Sequence, residues 1–244
     1  MNDSKSIGRG ARIAHLVHQM RRLGRVRGLA YRSASTWPAS LITNAFTLLS
    51  YEARHTYAST YRGTRIYKWP TDLWVYQDLV WRLQPDLIIE TGTNHGASAL
   101  FLAHQLDING RGQVITIDVE RHGDPPAHPR ITHILDSSIA PNVIREVREA
   151  AEHADTVMVI LDSDHSERHV TAELDLLADF VTPGSYCIVE DTLVTGHPVE
   201  PDYGPGPMEA ARKFLARRPD FVVDTDCQAF MLTQNFEGYL KRLA

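Results

Sequence analysis

From residue 71 onward, short apolar runs alternate with stretches whose apolar residues recur at helical spacing. Leu73, Tyr76, Leu79 and Val80 share one face of a helix expected over 72–83, with Asp72 as its cap and Pro85 as its stop. LIIE (87–90) follows. Its apolar residues do not alternate with polar ones, which suits a parallel strand covered on both faces. The alternation then continues. A helix is expected at about 97–107, strands at 114–118 and 130–135, a helix near 141–153, a strand at 157–162, a helix at 169–181, a strand at 186–190 and a helix at 208–218. Two further strands, FVVD (221–224) and AFMLT (229–233), close the series. Strand–helix alternation of this kind predicts an α/β fold with a mostly parallel sheet and helices on both faces. The segment 192–207 is rich in Gly and Pro and longer than an ordinary connection. It reads as an active-site loop or lid, with His197, Tyr203 and Met208 placed to select an acceptor.

The pattern before residue 67 is different, and the chain divides into an extension (1–66) and a main domain (67–244). Lys5, Arg9, Arg12, Arg21, Arg22, Arg25, Arg27 and Arg32 stand against Asp3 alone, while Ile13, Leu16, Val17 and Met20 keep helical spacing. This predicts an amphipathic basic helix, either a solvated arm or a contact with another copy or an anionic surface. Residues 34–66 read as helix plus irregular cover. Composition adds little: 43% hydrophobic and 23% charged residues in 244 is ordinary for a globular protein. The net charge of −5 argues against a general nucleic-acid binder. Two cysteines, Cys187 and Cys227, make no disulfide framework and are expected in buried strands. No apolar run is long enough to span a membrane and the first residues contain no apolar signal core, so a cytoplasmic location is expected.

Candidate chemistry sits at the carboxyl ends of the strands, where open α/β sheets bind ligands. After the first strand comes Glu90-Thr91-Gly92-Thr93-Asn94-His95-Gly96-Ala97-Ser98. Gly92 and Gly96 allow a tight turn and a close backbone approach. The spacing is not the three-glycine pyrophosphate fingerprint, and Glu90 adds a negative charge that suits a cationic ligand. Asp118, ending the second strand, can accept hydrogen bonds from a ribose diol. A nucleoside with a positive charge and no phosphate satisfies both, and S-adenosylmethionine is such a molecule. Read singly, the same residues are ordinary turn glycines and a solvated strand end.

Asp162 ends the fourth strand, and Glu190 and Asp191 end the fifth. If these strands are neighbours, three carboxylates converge and repel one another unless a cation joins them. Oxygen-only ligands suit Mg²⁺, and the absence of nearby cysteines argues against zinc. Helix capping is the competing role for such acids; Asp164, just before Ser166, fits it. His165 lies three residues after Asp162 and suits general-base work there.

The run 68–103, with VITID (114–118), HPRI (128–131), LDSDHS (161–166), VEDT (189–192) and GYLKR (238–242) in order, resembles the cephalosporin hydroxylase / rhamnosyl O-methyltransferase family. The resemblance spans about residue 60 to the end. It implies a Rossmann-like class I methyltransferase fold, with a seven-stranded, mostly parallel sheet whose last strand is antiparallel. It also implies S-adenosylmethionine and Mg²⁺ as cofactors. It places the metal ligands on Asp162, Glu190 and Asp191, the base on His165, and the donor contacts on Glu90, Gly92, Ser98, Asp118 and Ser138. The expected reaction is O-methylation of a small-molecule hydroxyl, on a sugar of a glycosylated natural product, by a homo-oligomeric enzyme of antibiotic biosynthesis. A catechol or β-lactam acceptor, a nicotinamide-dependent oxidoreductase and a non-enzymatic binding module are the alternatives.

Overall fold

A computed structural model describes residues 37–53 and 58–244; the basic stretch expected as an amphipathic helix lies outside them. Helix α1 (Trp37–Glu52) precedes a small hairpin, β1 (Thr60–Tyr61) and β2 (Thr64–Arg65). Then come α2 (Pro70–Leu83), β3 (Leu87–Thr91), α3 (Ala97–Asn109), β4 (Gln113–Asp118), β5 (Ile131–Leu135), α4 (Pro141–Ala151), β6 (Val157–Leu161), α5 (Glu167–Leu177), β7 (Tyr186–Val189), α6 (Pro207–Arg217), β8 (Phe221–Val223) and β9 (Tyr239–Arg242). Strands β3 to β9 form one seven-stranded sheet in the order β5-β4-β3-β6-β7-β9-β8. The pairs from β5 to β7 are parallel, and β9 runs antiparallel to both neighbours.

The missing alternation in the strand sequences has a direct cause. Leu87 and Ile89 pack into one apolar layer with Val159, Leu161, Leu174 and Phe214. Ile88, between them, packs into the other layer with Leu79, Leu102, Leu106 and Met158. Both faces are covered, so neighbouring positions on opposite faces are both apolar. Strand order reverses between β3 and β6, and the crevice above that reversal is the position where such sheets bind ligands. Among the described residues no helix is long and apolar enough to cross a membrane.

The structure differs from the sequence pattern in several places. Helix α2 starts at Pro70, with Trp69 rather than Asp72 at its N-cap. Asp72 is instead buried and binds the end of the chain: it accepts hydrogen bonds from the Thr233 hydroxyl, the Gln234 N–H (2.9 Å) and the Tyr239 hydroxyl (2.8 Å). AFMLT (229–233) is not a strand. The slot beside β7 is taken by β9, whose Tyr239 and Leu240 are fully buried, while Phe230 and Met231 lie half exposed in a turn. The helix expected through 181 ends at Leu177, followed by one 3-10 turn, Ala178–Phe180. Cys187 is buried in β7 as expected, but Cys227 is buried in a 3-10 turn, Thr225–Gln228. The 192–207 segment is anchored along its first half: Leu193, Val194 and Val199 form a small core against Leu48 and Tyr51 of α1. His197 pairs with Glu209 (2.6 Å), Met208 is buried, and Tyr203 is exposed.

Burial raises the Asp72 carboxyl to about 6, against the pull of its three donors. A folded-state value above the unfolded one gives stability that is complete below about pH 4 and is lost as pH rises through about 6. Asp72→Asn cannot ionise and lacks that slope. The difference in unfolding free energy between wild type and this variant, from urea titrations, should therefore fall by about 2 kcal/mol between pH 4 and pH 7; a flat difference would mean that Asp72 titrates normally. A second expectation concerns the turn after β3. Gly92 has φ +87°, and a Cβ there would lie 1.9 Å from the Asp162 carbonyl oxygen. Gly184 has a similar φ, +84°, but open space around it. Gly92→Ala should destabilise by about 3 kcal/mol or more and Gly184→Ala by about 1 kcal/mol. Equal losses in thermal melts would remove the close-packing explanation.

Candidate active site

The turn leaving β3 is held from two sides. The Gly92 N–H donates to the Ile117 carbonyl (2.7 Å) and the Gly96 N–H to the Thr93 carbonyl (2.7 Å). Asn94 adopts φ +48° and its N–H donates to Asp118 Oδ2 (2.8 Å), while the Glu120 N–H donates to Asp118 Oδ1 (3.1 Å). Asp118 therefore ties the turn to the end of β4. Glu90, at the C-terminal end of β3, is fully buried. Its Oε2 accepts from the Thr116 hydroxyl (2.7 Å), but Oε1 is buried with no hydrogen-bond partner. Burial raises its pKa, with Lys68 pulling the other way. A buried carboxylate oxygen left unpaired is costly, and it marks a place suited to a hydrogen-bond donor or a cation from a ligand.

One register position over, β6 and β7 run side by side, with Leu161 paired to Val189. The residues that follow them, Asp162, Glu190 and Asp191, are thereby delivered to one edge, as the sequence predicts for neighbouring strands. Asp162 and Asp191 face His165, whose Nε2 lies 3.5 Å from Asp162 Oδ1 and 3.4 Å from Asp191 Oδ2. These are ion-pair distances without hydrogen-bond geometry: His165 Nε2 is buried and unbonded. Ligand atoms of Asp162, His165 and Asp191 all lie within 4.8 Å of one another, a spacing compatible with a shared metal ion. Burial opposes charge on His165, but Asp191 and Asp162 outweigh it and push its pKa up to about 9.

Glu190 is engaged differently. Its Oε1 accepts from Lys68 Nζ (2.6 Å) and from the Tyr76 hydroxyl (2.6 Å). Lys68 Nζ also donates to Asp162 Oδ2 (2.9 Å). The ammonium is buried, which disfavours it, yet Asp162 and Glu190 raise its pKa and keep it charged. Burial and Asp162 push the Glu190 carboxyl upward; its two donors favour the ionised form. Asp191, at φ +51°, is braced by the C-terminal segment: its N–H donates to Asn235 Oδ1 (3.2 Å) and its Oδ1 accepts from Gln234 Nε2 (3.3 Å). Asp164 accepts from the Ser166 N–H (2.7 Å), but the N-cap of α5 is Ser166, whose hydroxyl accepts from the His169 N–H (3.3 Å), so the capping expected of Asp164 falls to Ser166.

Both halves of the predicted site wall one cleft. Gly92 and Ser98 on the donor side and Asp162, Glu190, Asp191 and His165 on the acid side all line it. Glu90, Gly96, Asp118 and Ser138 are not among its lining residues. The Ser138 hydroxyl donates to buried Glu173 (2.6 Å), which also accepts from Ser163 (2.7 Å). That network braces the loop carrying Asp162 and His165. Lys68, Tyr76, Gln234 and Asn235 carry no local sequence signal for a role at the site. A single lysine before a helix carries no spacing signal, and Tyr76 looks like any other apolar-face residue of α2.

The rhamnosyl O-methyltransferase/CmcI sequence family matches residues 53–243. The rhamnosyl O-methyltransferase of Mycobacterium bovis (strain BCG / Pasteur 1173P2) is 38% identical over 191 residues, 75% of this chain and 78% of that protein. The enzyme of the same name from Mycobacterium leprae (strain TN) is 37% identical over 165 residues, 66% of this chain and 72% of that one. Among solved structures, ligand-free CmcI aligns with TM-score 0.59 at 22% identity, covering 77% of each chain. CmcI with Mg and SAM aligns at 0.57, with the same identity, covering 77% of this chain and 78% of that one. The seven-stranded sheet with its antiparallel last strand is accordingly the class I methyltransferase fold, and the chain belongs to the rhamnosyl O-methyltransferase/CmcI family.

Proposed function

We propose that this chain is an S-adenosylmethionine-dependent O-methyltransferase that uses Mg²⁺ and methylates a sugar hydroxyl of a small molecule. The observation that carries this reading is the shared cleft: the glycine turn after β3 and the acids after β6 and β7 face the same space. The rhamnosyl O-methyltransferase relatives favour a sugar acceptor, and the CmcI structure with Mg and SAM favours the two cofactors.

The residues present fit both groups. On the donor side, Gly92 lines the cleft, and Glu90 Oε1 is a buried acceptor without a partner. Glu90, Gly92, Gly96 and Ser98 would form the donor's seat, with Asp118 acting through the turn it holds. On the acid side, Asp162, Asp191 and Glu190 are hard oxygen donors of the kind Mg²⁺ takes, and ligand atoms of Asp162, Asp191 and His165 already lie within 4.8 Å of one another. When bound, the sulfonium donor supplies an electrophilic methyl carbon, and the divalent ion lowers the pKa of an acceptor hydroxyl.

The chain's own groups do the rest. Asp162 and Asp191 favour the protonated form of His165; with a divalent ion held by those carboxylates, its Nε2 would be placed to accept the acceptor's hydroxyl proton. Gln234 and Asn235 fix Asp191, and Ser163, through Glu173, fixes the loop carrying His165. Holding donor and acceptor at attack distance supplies the largest part of the acceleration, up to ~7–11 kcal/mol for well-oriented reactants.

The test is transfer of labelled methyl from S-adenosylmethionine to a panel of rhamnosides, with and without EDTA. Activity should vanish in EDTA and return with Mg²⁺; turnover that ignores EDTA would remove the ion. Asp191→Asn should lose at least about 100-fold in turnover while S-adenosylhomocysteine still binds, since changing even a residue that only supports a metal ligand typically costs ~10–100-fold. His165→Gln should lower kcat by about 10²–10⁴, and a wild-type rate would assign the base elsewhere.

A further inference from the structure

The acid cluster already contains a cation. Lys68 Nζ sits between Glu190 Oε1 (2.6 Å) and Asp162 Oδ2 (2.9 Å), and its side chain is 4% exposed. Glu90 and Asp72 add negative charge around it, and Asp191, His165, Arg65 and His95 are the other charged or titratable groups facing this space. Asp162 is split between two cationic side chains: Oδ2 accepts from Lys68, and Oδ1 faces His165. We propose that Lys68 is the resident counter-ion of this cluster, and that a divalent ion must displace its ammonium from Asp162 and Glu190 to bind. This rests on the divalent-ion reading above and concerns a residue that reading does not use.

Three observations support displacement over permanent pairing. The two oxygens that Lys68 holds belong to two of the three acids a divalent ion would take, and two cations cannot share them without strong repulsion. Lysine carries a compact charge on a flexible four-carbon stem, unlike the fixed fork of arginine. The stem also has space on a second side. Lys68 lines the catalytic cleft and also a neighbouring apolar cleft bordered by Phe46, Trp69 and Leu232. The displaced ammonium can therefore leave the acids without unfolding the strand ends. The arrangement keeps the ion-free protein charge-balanced and weakens its hold on the ion.

The experiment uses Mg²⁺ alone as the probe. Calorimetry of Mg²⁺ binding to wild type and Lys68→Met should show binding at least tenfold tighter in the variant. The ion-free variant should melt at a lower temperature than ion-free wild type, and Mg²⁺ should restore it. Should Lys68→Met be recovered only in the presence of Mg²⁺, that dependence is itself the expected result. Failure to fold even with Mg²⁺ would overturn the proposal.

A second measurement separates displacement from a fixed ion pair. The sequence has four lysines, Lys5, Lys68, Lys213 and Lys241. Reductive methylation with formaldehyde, read by peptide mass spectrometry, should modify Lys68 at least fivefold faster when Mg²⁺ is bound, with Lys213 and Lys241 unchanged. Unchanged labelling of Lys68, or unchanged affinity in Lys68→Met where wild type binds Mg²⁺, would overturn the proposal and leave the divalent-ion reading intact. No Mg²⁺ binding by either protein would remove both.

Discussion

Three acidic side chains at the ends of two paired parallel strands cannot all stay ionised in a buried cleft unless positive charge is built in beside them. The rest of the site follows from that constraint. Lys68 enters from the segment just before α2 and bonds to two of the acids. His165, three residues beyond Asp162, faces two. The pairing of β6 with β7 makes the convergence unavoidable: once Leu161 lies opposite Val189, the next residue of each strand is an acid at the same edge.

This constraint also explains why the far end of the chain is packed where it is. Antiparallel β9 inserts between β7 and β8, and the segment leading into it passes beside the acids. Asn235 Nδ2 donates to the Tyr76 hydroxyl (3.0 Å), which in turn donates to Glu190. Asp72 fastens the same segment through Thr233, Gln234 and Tyr239. Helix α2 thus serves two purposes: its apolar face fills one core layer, and its polar residues join the chain terminus to the charge cluster. A second buried carboxylate, Glu173, does the comparable work on the opposite flank through Ser138 and Ser163.

How much of this was legible beforehand depends on whether the signal is local. Parallel strands announce themselves as unbroken apolar runs, and the runs at 87–90 and 157–162 lie within a residue of the observed strands. Acids one residue past such runs are equally visible, and so are turn glycines. AFMLT misled because an apolar run records the wish to be buried and not which run wins the slot; Tyr239 and Leu240 fill it, and Phe230 and Met231 stay half exposed. Asp72 misled in the same way: a helix-start acid looks like a cap until a segment about 160 residues later claims its oxygens. Lys68, Tyr76 and Asn235 act across more than 100 residues of sequence, and no spacing rule connects them.

Gly92 joins the two sides of the cleft: the turn after β3 passes through it, and the backbone of Asp162 packs against it so closely that no side chain fits between them. The distance between the two halves is therefore fixed by backbone contact and not by side-chain rotamers. A reaction whose main requirement is alignment of two bound partners benefits from such a junction, because backbone packing is stiffer than any pair of long side chains.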